Sequence, residues 1–426
     1  MAITERYVEA IADWVNATAY TTTPLSLVKG SDGSGYYCIL AHTSETGVKG
    51  RPTDGTAWDT YWAICDGTAT KPWTLTQAFA TAVAGDRVNI KSGTYSRAAD
   101  DSVTNSGSSA SPLVFRGYYS TIGDLSTQGR VSVQQALDTT NFPAITYAAT
   151  KKLAILYYTI LESLKITVAG AGVSGAVITT SGHNIIRNCY VENPSTNAAA
   201  YCANMGSDSV VTNSDIIESG ATGAAGALYF NAANTRAICC RVKSTAGYGI
   251  SAYGSGCFVY GCVIYECGTN GISMANTNVA YVFTAIGNTI VNCGGNGINI
   301  GNAAYTSLMC FINNHVTGCT GSAFNNGYSA TANLGVCLSN NRTRGNGTVQ
   351  VGFDDWATAT SWGHVTSGSA DSEDYTDATT DDYTLITTAV GKAVGMLPYT
   401  DIGGLQRQEP AAGGGGQRIL GGSIVR

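Results

Sequence analysis

Residues 240–261 read CRVKSTAGYGISAYGSGCFVYG, residues 262–287 CVIYECGTNGISMANTNVAYVFTAIG, and residues 288–313 NTIVNCGGNGINIGNAAYTSLMCFIN. One phrase recurs in all three: an apolar residue, then Cys, Gly or Asn, then Gly-Ile. Val242, Ile264, Ile290 and Val316 fall in one column, spaced 22, 26 and 26. Ile250, Ile272, Ile298 and Phe324 form a second column with the same spacings. Toward the N-terminus the first column continues through Ile216, Val191 and Ile166, and the second through Leu228 and Ala203. A third column runs Ile186, Val211, Ile238, Val259, Ala285, Ile312, Leu338.

Three short apolar strands per turn of 22 to 27 residues, with no helical period between them, predict an all-β fold: a parallel β-helix, or solenoid. No coil of this kind buries its interior alone. Neighbouring coils must stack about 4.8 Å apart to do so. Asn188, Asn213, Asn313 and Asn340 stand at one bend, where Asn tolerates left-handed backbone angles and can stack its amide between coils. The rival solenoid, a leucine-rich repeat, lacks its Leu and Asn phrase here.

Composition agrees. The chain has 426 residues, of which 52 are Gly and only 12% are charged, about half the usual share. With 44% apolar residues and a net charge of -6, it is not a disordered sequence. No basic or arginine-rich run appears, so nucleic acid is not expected as a partner. No run reaches 18 apolar residues, so no membrane span is expected. The thirteen cysteines are odd in number. Several fall on the repeat, Cys267, Cys293 and Cys319 being spaced by 26, and they read as small buried thiols rather than a disulfide framework. The N-terminus (MAITERYVEAIADW) has no apolar signal core.

The chain divides into four parts on this reading. Residues 1–66 form an aromatic-rich β module with Trp14, Tyr36, Tyr37, Trp58, Tyr61 and Trp62. Residues 67–350 form the solenoid. Its entry, GTATKPWTLTQAFATAVAGDRVNIKSGTY, predicts a short helix with Leu75, Phe79, Ala82 and Val83 on its apolar face, stopped at Gly85. Such a helix would cover the open end of the first coil. Val88 and Ile90 then alternate in a first strand, and PLVFRGY, RVSVQQAL and AITYAA read as further early strands. Residues 351–410 close the solenoid, and 411–426 are a Gly-rich tail.

The columns and the entry segment resemble the right-handed parallel β-helix superfamily of pectate lyases, polygalacturonases and phage tailspikes, over roughly residues 66–405. GSGYYCILAHTS, RPTDG and WDTYW are similar to small carbohydrate-binding modules of the type 5/12 class, which also occur in phage tail proteins. That likeness makes Tyr36, Trp58, Tyr61 and Trp62 candidate sugar-stacking residues, since flat aromatic faces suit sugar C–H faces. The same rings equally read as the core of a minimal domain. DDYTLITTAVGKAV with PYTDIGGLQR resembles the closing phrase of β-helix surface proteins and adhesins.

Enzymes of this superfamily carry converging acids, or a calcium-binding acidic set with an Arg or Lys base, on the outside of adjacent coils. The residues flanking the first column are Tyr190, Asp215, Arg241, Val263, Thr289 and His315, and on the other side Glu192, Ile217, Lys243, Tyr265, Val291 and Thr317. No two acids are neighbours in either file. Asp215 beside Arg241 reads as a surface ion pair of small weight. The second column is flanked by Ala227, Tyr229, Gly249, Ser251, Gly271, Ser273, Gly297 and Asn299, a flat uncharged face suited to packing against another chain or left as plain solvated sheet. His183, His315 and His364 stand alone, and no metal or cofactor is expected. The acidic run Asp371, Glu373, Asp374, Asp377, Asp381, Asp382 does not have calcium-loop spacing. Loops 275–284 and 301–311, with Tyr281 and Tyr305, lengthen toward the C-terminus and suggest contact surfaces.

The functional expectation is therefore a structural virion-surface protein of a bacteriophage (spike, fibre or capsid-decoration protein). It would assemble in the host cytoplasm as a homotrimer, contact other virion proteins, and touch a cell-surface glycan. A polysaccharide lyase or hydrolase such as a tailspike depolymerase is the alternative, and a bacterial adhesin the third.

Overall fold

The computed structural model describes residues 3–351, except 46–50, 55–57, 127–132, 171, 174, 198, 221–225, 275–280, 302–306, 327–333, 340 and 345, together with 365–367, 375–377 and 382–385. The chain is a parallel β-helix of three long sheets. Sheets one and two each have eleven strands and sheet three has ten, and neighbouring strands in every sheet come from successive turns of the chain. Each turn runs from sheet one through a two-residue bend to sheet two, then by a longer loop to sheet three and back.

The column registers are borne out in two sheets. Ile166, Val191, Ile216, Val242, Ile264, Ile290 and Val316 pair in file along sheet two. Ala203, Leu228, Ile250, Ile272, Ile298 and Phe324 do so along sheet three. All are buried in a single core. Sheet one corrects the third column at two points. Val211 pairs with Ala237 rather than Ile238, and Ala285 with Phe311 rather than Ile312. Phe311 is fully buried, whereas Ile238 and Ile312 are half-buried. In each case the neighbouring residue is also apolar, so hydropathy alone could not distinguish the inward side.

The bend between sheets one and two sets the repeat. Asn188, Asn213 and Asn313 have φ of 52°, 47° and 58°, the left-handed region expected of them. Asn340 lies outside the described residues. The continuous amide stack is one residue further on. Asn288 Nδ2 donates to Asn314 Oδ1 (2.9 Å) and Asn314 Nδ2 to Asn341 Oδ1 (3.0 Å), while each side-chain oxygen also accepts the backbone N–H of the coil below. Earlier coils fill this file with Cys189, Ser214, Cys240 and Cys262, whose groups bond across in the same way. At another corner Cys267, Cys293 and Cys319 are buried free thiols. The hydrogen-bonded Cys267 thiol, with burial behind it, holds Cys293 well above the ordinary thiol range.

The entry helix spans Leu75–Thr81 and starts with a capping box, in which Thr74 accepts from Gln77 N and the Gln77 side chain accepts from Thr74 N. Leu75, Ala78, Phe79 and Ala82 pack into the core beneath it, Phe79 against Phe115 at 5.2 Å. Val83, expected on the apolar face, is 49% exposed, because the helix has already ended at Thr81. Gly85 then turns with φ of 89°.

Two boundaries shift. Thr4–Val8, placed in the N-terminal module by sequence, is the first strand of sheet one and pairs in parallel with Asp86–Lys91. RVSVQQAL is not a strand in its described part. In place of the usual two-residue bend stands an excursion whose described residues, 119–126 and 133–143, have their own small core of Leu125, Leu137 and Phe142. Asp124 anchors its start by accepting the N–H groups of Tyr119, Ser120 and Thr121. Burial works against its charge, but these donors win and hold its carboxyl at about 2. The closing segment and the Gly-rich tail fall largely outside the described residues, as do His364 and all of the acidic run except Asp377 and Asp382.

Replacing Asn314 with Ala strips partners from Asn288, Asn341 and the Ala285 carbonyl, all within the core. The expected cost is about 3 kcal/mol, as unsatisfied buried groups cost about 1–3 kcal/mol each. Chemical denaturation checks it, and a loss below about 1 kcal/mol contradicts the ladder's role.

Candidate glycan-binding face

The outward faces of the three sheets differ. On sheet two the files beside the first column are those read from the sequence; Tyr190, Glu192, Ile217 and Lys243 are half-buried, and the rest are buried. Asp215 and Arg241 are both 3% exposed in their side chains, with Nη1 to Oδ2 at 3.8 Å. The excursion lies over them: Leu137 N donates to Asp215 Oδ2 at 2.8 Å, and Leu125 O accepts from Asn188 Nδ2 at 3.0 Å. Arg241 also sits over the Tyr265 ring at 4.9 Å. The surface ion pair expected from sequence is thus a buried one. Strand alternation gave the correct side of the sheet, and the excursion closed it off. Val263, Tyr265, Thr289, Val291 and His315 further up this face are also buried.

Sheet three shows a different face. Its outward file is Asn204, Tyr229, Ser251, Ser273, Asn299 and Asn325. Gly249, Gly271 and Gly297, expected beside it, lie at the corner instead. A Cβ on each would stand 2.3–2.5 Å from Ile264, Ile290 and Val316 of sheet two, so only glycine lets the two sheets meet. Ala227 is likewise fully buried. The outward tyrosines make a ladder across three successive turns. Tyr201 stacks on Tyr229 at 4.6 Å and 14°, and Tyr229 meets the edge of Tyr253 at 5.3 Å and 78°. Tyr253 is 39% exposed. Burial first, then the neighbouring Tyr229 and Tyr253, pushes the Tyr201 phenol up to about 12. Burial, then Tyr253, raises Tyr229 as well. These hydroxyls therefore stay neutral hydrogen-bonding groups across ordinary pH. Above them, Asn325 Nδ2 donates to Asn299 Oδ1 at 2.6 Å, continuing the polar stripe.

At the corner leading from sheet three to sheet one, Tyr158, His183, Asp208, Asn234 and Gly256 occupy one left-handed position per turn, with φ between 53° and 74°. The Tyr158 and His183 rings are parallel at 4.7 Å. His183 Nε2 lies 3.9 Å from Asp208 Oδ2, and Asn234 Nδ2 donates to Asp208 Oδ1 at 3.0 Å. His183 is therefore not isolated. Its spacings of 25, 25, 26 and 22 from turn to turn match those of the apolar columns and were available in the sequence. Among the described residues no three His, Cys, Asp or Glu side chains gather as a metal site requires.

The N-terminal candidates separate. Trp62 and Tyr36 are core residues, 1% and 3% exposed, packed with Tyr20, Val28 and Cys38. Neither offers a face to a sugar, because the module is too small to form a core without them. Trp58 and Tyr61 are half-buried at its edge, Trp58 edge-on to Tyr36 at 5.4 Å. Tyr281 begins the strand Tyr281–Ile286 of sheet one, and Tyr305 lies outside the described residues.

With that geometry in place, residues 161–308 match the family model described as "Right handed beta helix region". No curated protein matches the chain in sequence. Among solved structures it is similar to pectate lyase Pel9A (14% identity, TM-score 0.46, 81% of this chain and 94% of that one). It is similar to an alginate lyase from Paenibacillus sp. str. FPU-7 (14%, 0.40, 65% and 92%). It is also similar to the tailspike protein of Acinetobacter phage vB_ApiP_P1 (11%, 0.39, 91% and 75%).

Removing one partner of the buried pair tests the sheet-two arrangement. Asp215→Ala removes a buried carboxylate 3.8 Å from the Arg241 guanidinium together with the acceptor of Leu137 N, and is expected to cost about 3 kcal/mol. The double variant Asp215→Leu with Arg241→Met should recover most of that loss. Denaturation of both variants checks this, and a single-variant cost under 1 kcal/mol would return the pair to the surface class.

Proposed function

We propose that this chain is a structural virion-surface protein of a bacteriophage whose β-helix presents a glycan-binding face. The observation that carries the glycan part is the tyrosine ladder. Tyr201, Tyr229 and Tyr253 offer aromatic surface along the solenoid axis, in file with the half-buried amides of Asn204, Asn299 and Asn325, which can exchange hydrogen bonds with sugar hydroxyls. An extended oligosaccharide lying along the axis fits that repeat. The half-buried rings Trp58 and Tyr61 are a second, smaller contact in this reading. The virion part rests on cytoplasmic assembly, which suits the buried thiols held free on neighbouring turns. A homotrimer contacting other virion proteins belongs to the same reading.

One observation favours the degrading alternative. His183 paired with Asp208, beside Tyr158 and near the sheet-three face, is an arrangement from which a general base can be made.

A panel of bacterial surface oligosaccharides, titrated against the full chain, separates these. Binding should weaken about tenfold or more in Tyr229→Ala, equivalent to about 1.4 kcal/mol, with no new reducing or unsaturated ends. Turnover abolished by His183→Ala would replace the structural reading with the enzymatic one. Unchanged affinity in Tyr229→Ala would remove the ladder from either.

A further inference from the structure

We propose, resting on the glycan-binding reading above, that the oligosaccharide taken by the sheet-three face is uncharged: pyranose units carrying hydroxyl and amide groups, with no carboxylate, sulfate or phosphate. What points to this class is where the coils place their charge. Sheet three rises from Ala176–Thr180 to Ser322–Asn326 in seven strands. The chain between those bounds holds four Lys or Arg residues, Arg187 and Arg236 on sheet one and Arg241 and Lys243 on sheet two. Arg187 is paired with Glu162, Arg241 with Asp215 and Lys243 with Glu266. Outward on sheet three stand phenols and amides instead. Tyr248, half-buried, brings a further phenol beside Tyr201 and Tyr229, and Asn204 and Asn299 are the half-buried amides in file with them.

A carboxylate laid on this face sheds water and meets only neutral donors. An ionic group without a counter-charge is far costlier to desolvate than a hydroxyl. A sugar hydroxyl has no such penalty, because an amide both donates and accepts. The corners on either side of the sheet add to the discrimination. Asp208 follows the strand Tyr201–Met205 at the corner toward sheet one, its side chain 39% exposed. Its Oδ1 accepts from Asn234 Nδ2 of the next turn at 3.0 Å, and His183 Nε2 lies 3.9 Å from its Oδ2. A proton gained by His183 is therefore faced by that carboxylate. Glu218, at the corner from sheet two, is fully buried and accepts from Gly220 N at 2.6 Å and Ser244 Oγ at 2.9 Å. The tyrosine turns thus run between corners that each carry an acid, with the cations on the other two sheets. A carboxylate acceptor beside a sugar receives its hydroxyl protons and repels an anion, which gives selectivity by both attraction and repulsion.

The test uses matched probes. Fragments of bacterial capsular polysaccharide that contain uronic acid are each titrated into the full chain beside their own carboxyl-reduced form, in which the carboxylate has become a CH2OH group. Calorimetry reads the affinities at low and high salt. The reduced form should bind about tenfold tighter than its uronate. Its affinity should be indifferent to salt, whereas the weak uronate binding should strengthen as salt screens the repulsion. Thr179 is a half-buried outward residue paired with Asn204 in the same file, and Thr179→Lys should narrow the preference about threefold. A uronate that binds as tightly as its reduced form, or tighter, in a manner lost in Tyr229→Ala overturns the neutral class and leaves the glycan-binding reading standing. A preference unchanged by Thr179→Lys overturns it as well. Binding by neither form, or binding indifferent to Tyr229→Ala, overturns the glycan-binding reading itself and the neutral class with it.

Discussion

A coil of this chain cannot close around its own interior, and every other feature follows from that. Three short strands enclose too little apolar volume to exclude water, so each turn must be roofed by the next. From Thr159 onward the stack then demands one thing of each turn: the same sharp bend between sheets one and two. Left-handed residues meet that demand at Asn188, Asn213, Cys239, Gly261, Gly287 and Asn313. The buried amides of Asn288, Asn314 and Asn341 lock it by bonding to one another and to the backbone. At the ends, where no next turn exists, the Leu75–Thr81 helix covers one opening.

Once the interior is fixed by repetition, the outside is free to vary sheet by sheet. The excursion of residues 119–143 seals part of sheet two and buries Asp215 with Arg241. Tyrosines and amides give sheet three a hydrogen-bonding surface. Sheet one carries a mixed surface, with isoleucine, valine and paired aromatic rings interrupted by Arg187, Arg236 and Thr284. Three outer surfaces of different chemistry thus share one interior.

The sequence disclosed the interior far better than the exterior. Inward positions carry one chemical requirement repeated at every turn, so Val242, Ile264, Ile290 and Val316 aligned without a structure. The same logic slipped by one residue at Ile238 and Ile312, where an outward isoleucine sits beside the inward Ala237 and Phe311. Outward positions carry no shared requirement. Whether Asp215 meets water depends on Leu137, 78 residues away, which no periodicity records. Trp62 and Tyr36 were legible as an aromatic cluster but not as core or surface, since both uses call for the same rings. The Tyr158, His183, Asp208 file was legible by its spacing, yet its residue types differ at each turn and so escape a search for sameness.

The division of the three outer faces is most directly tested by hydroxyl-radical footprinting of the full chain in solution. Tyr229 and Tyr253 on sheet three should be oxidised readily. Tyr265 on sheet two, covered by the chain itself, should be protected, as should Tyr36 and Trp62 in the core of the N-terminal module. Oxidation of Tyr265 as fast as Tyr253 would contradict this account of the surface.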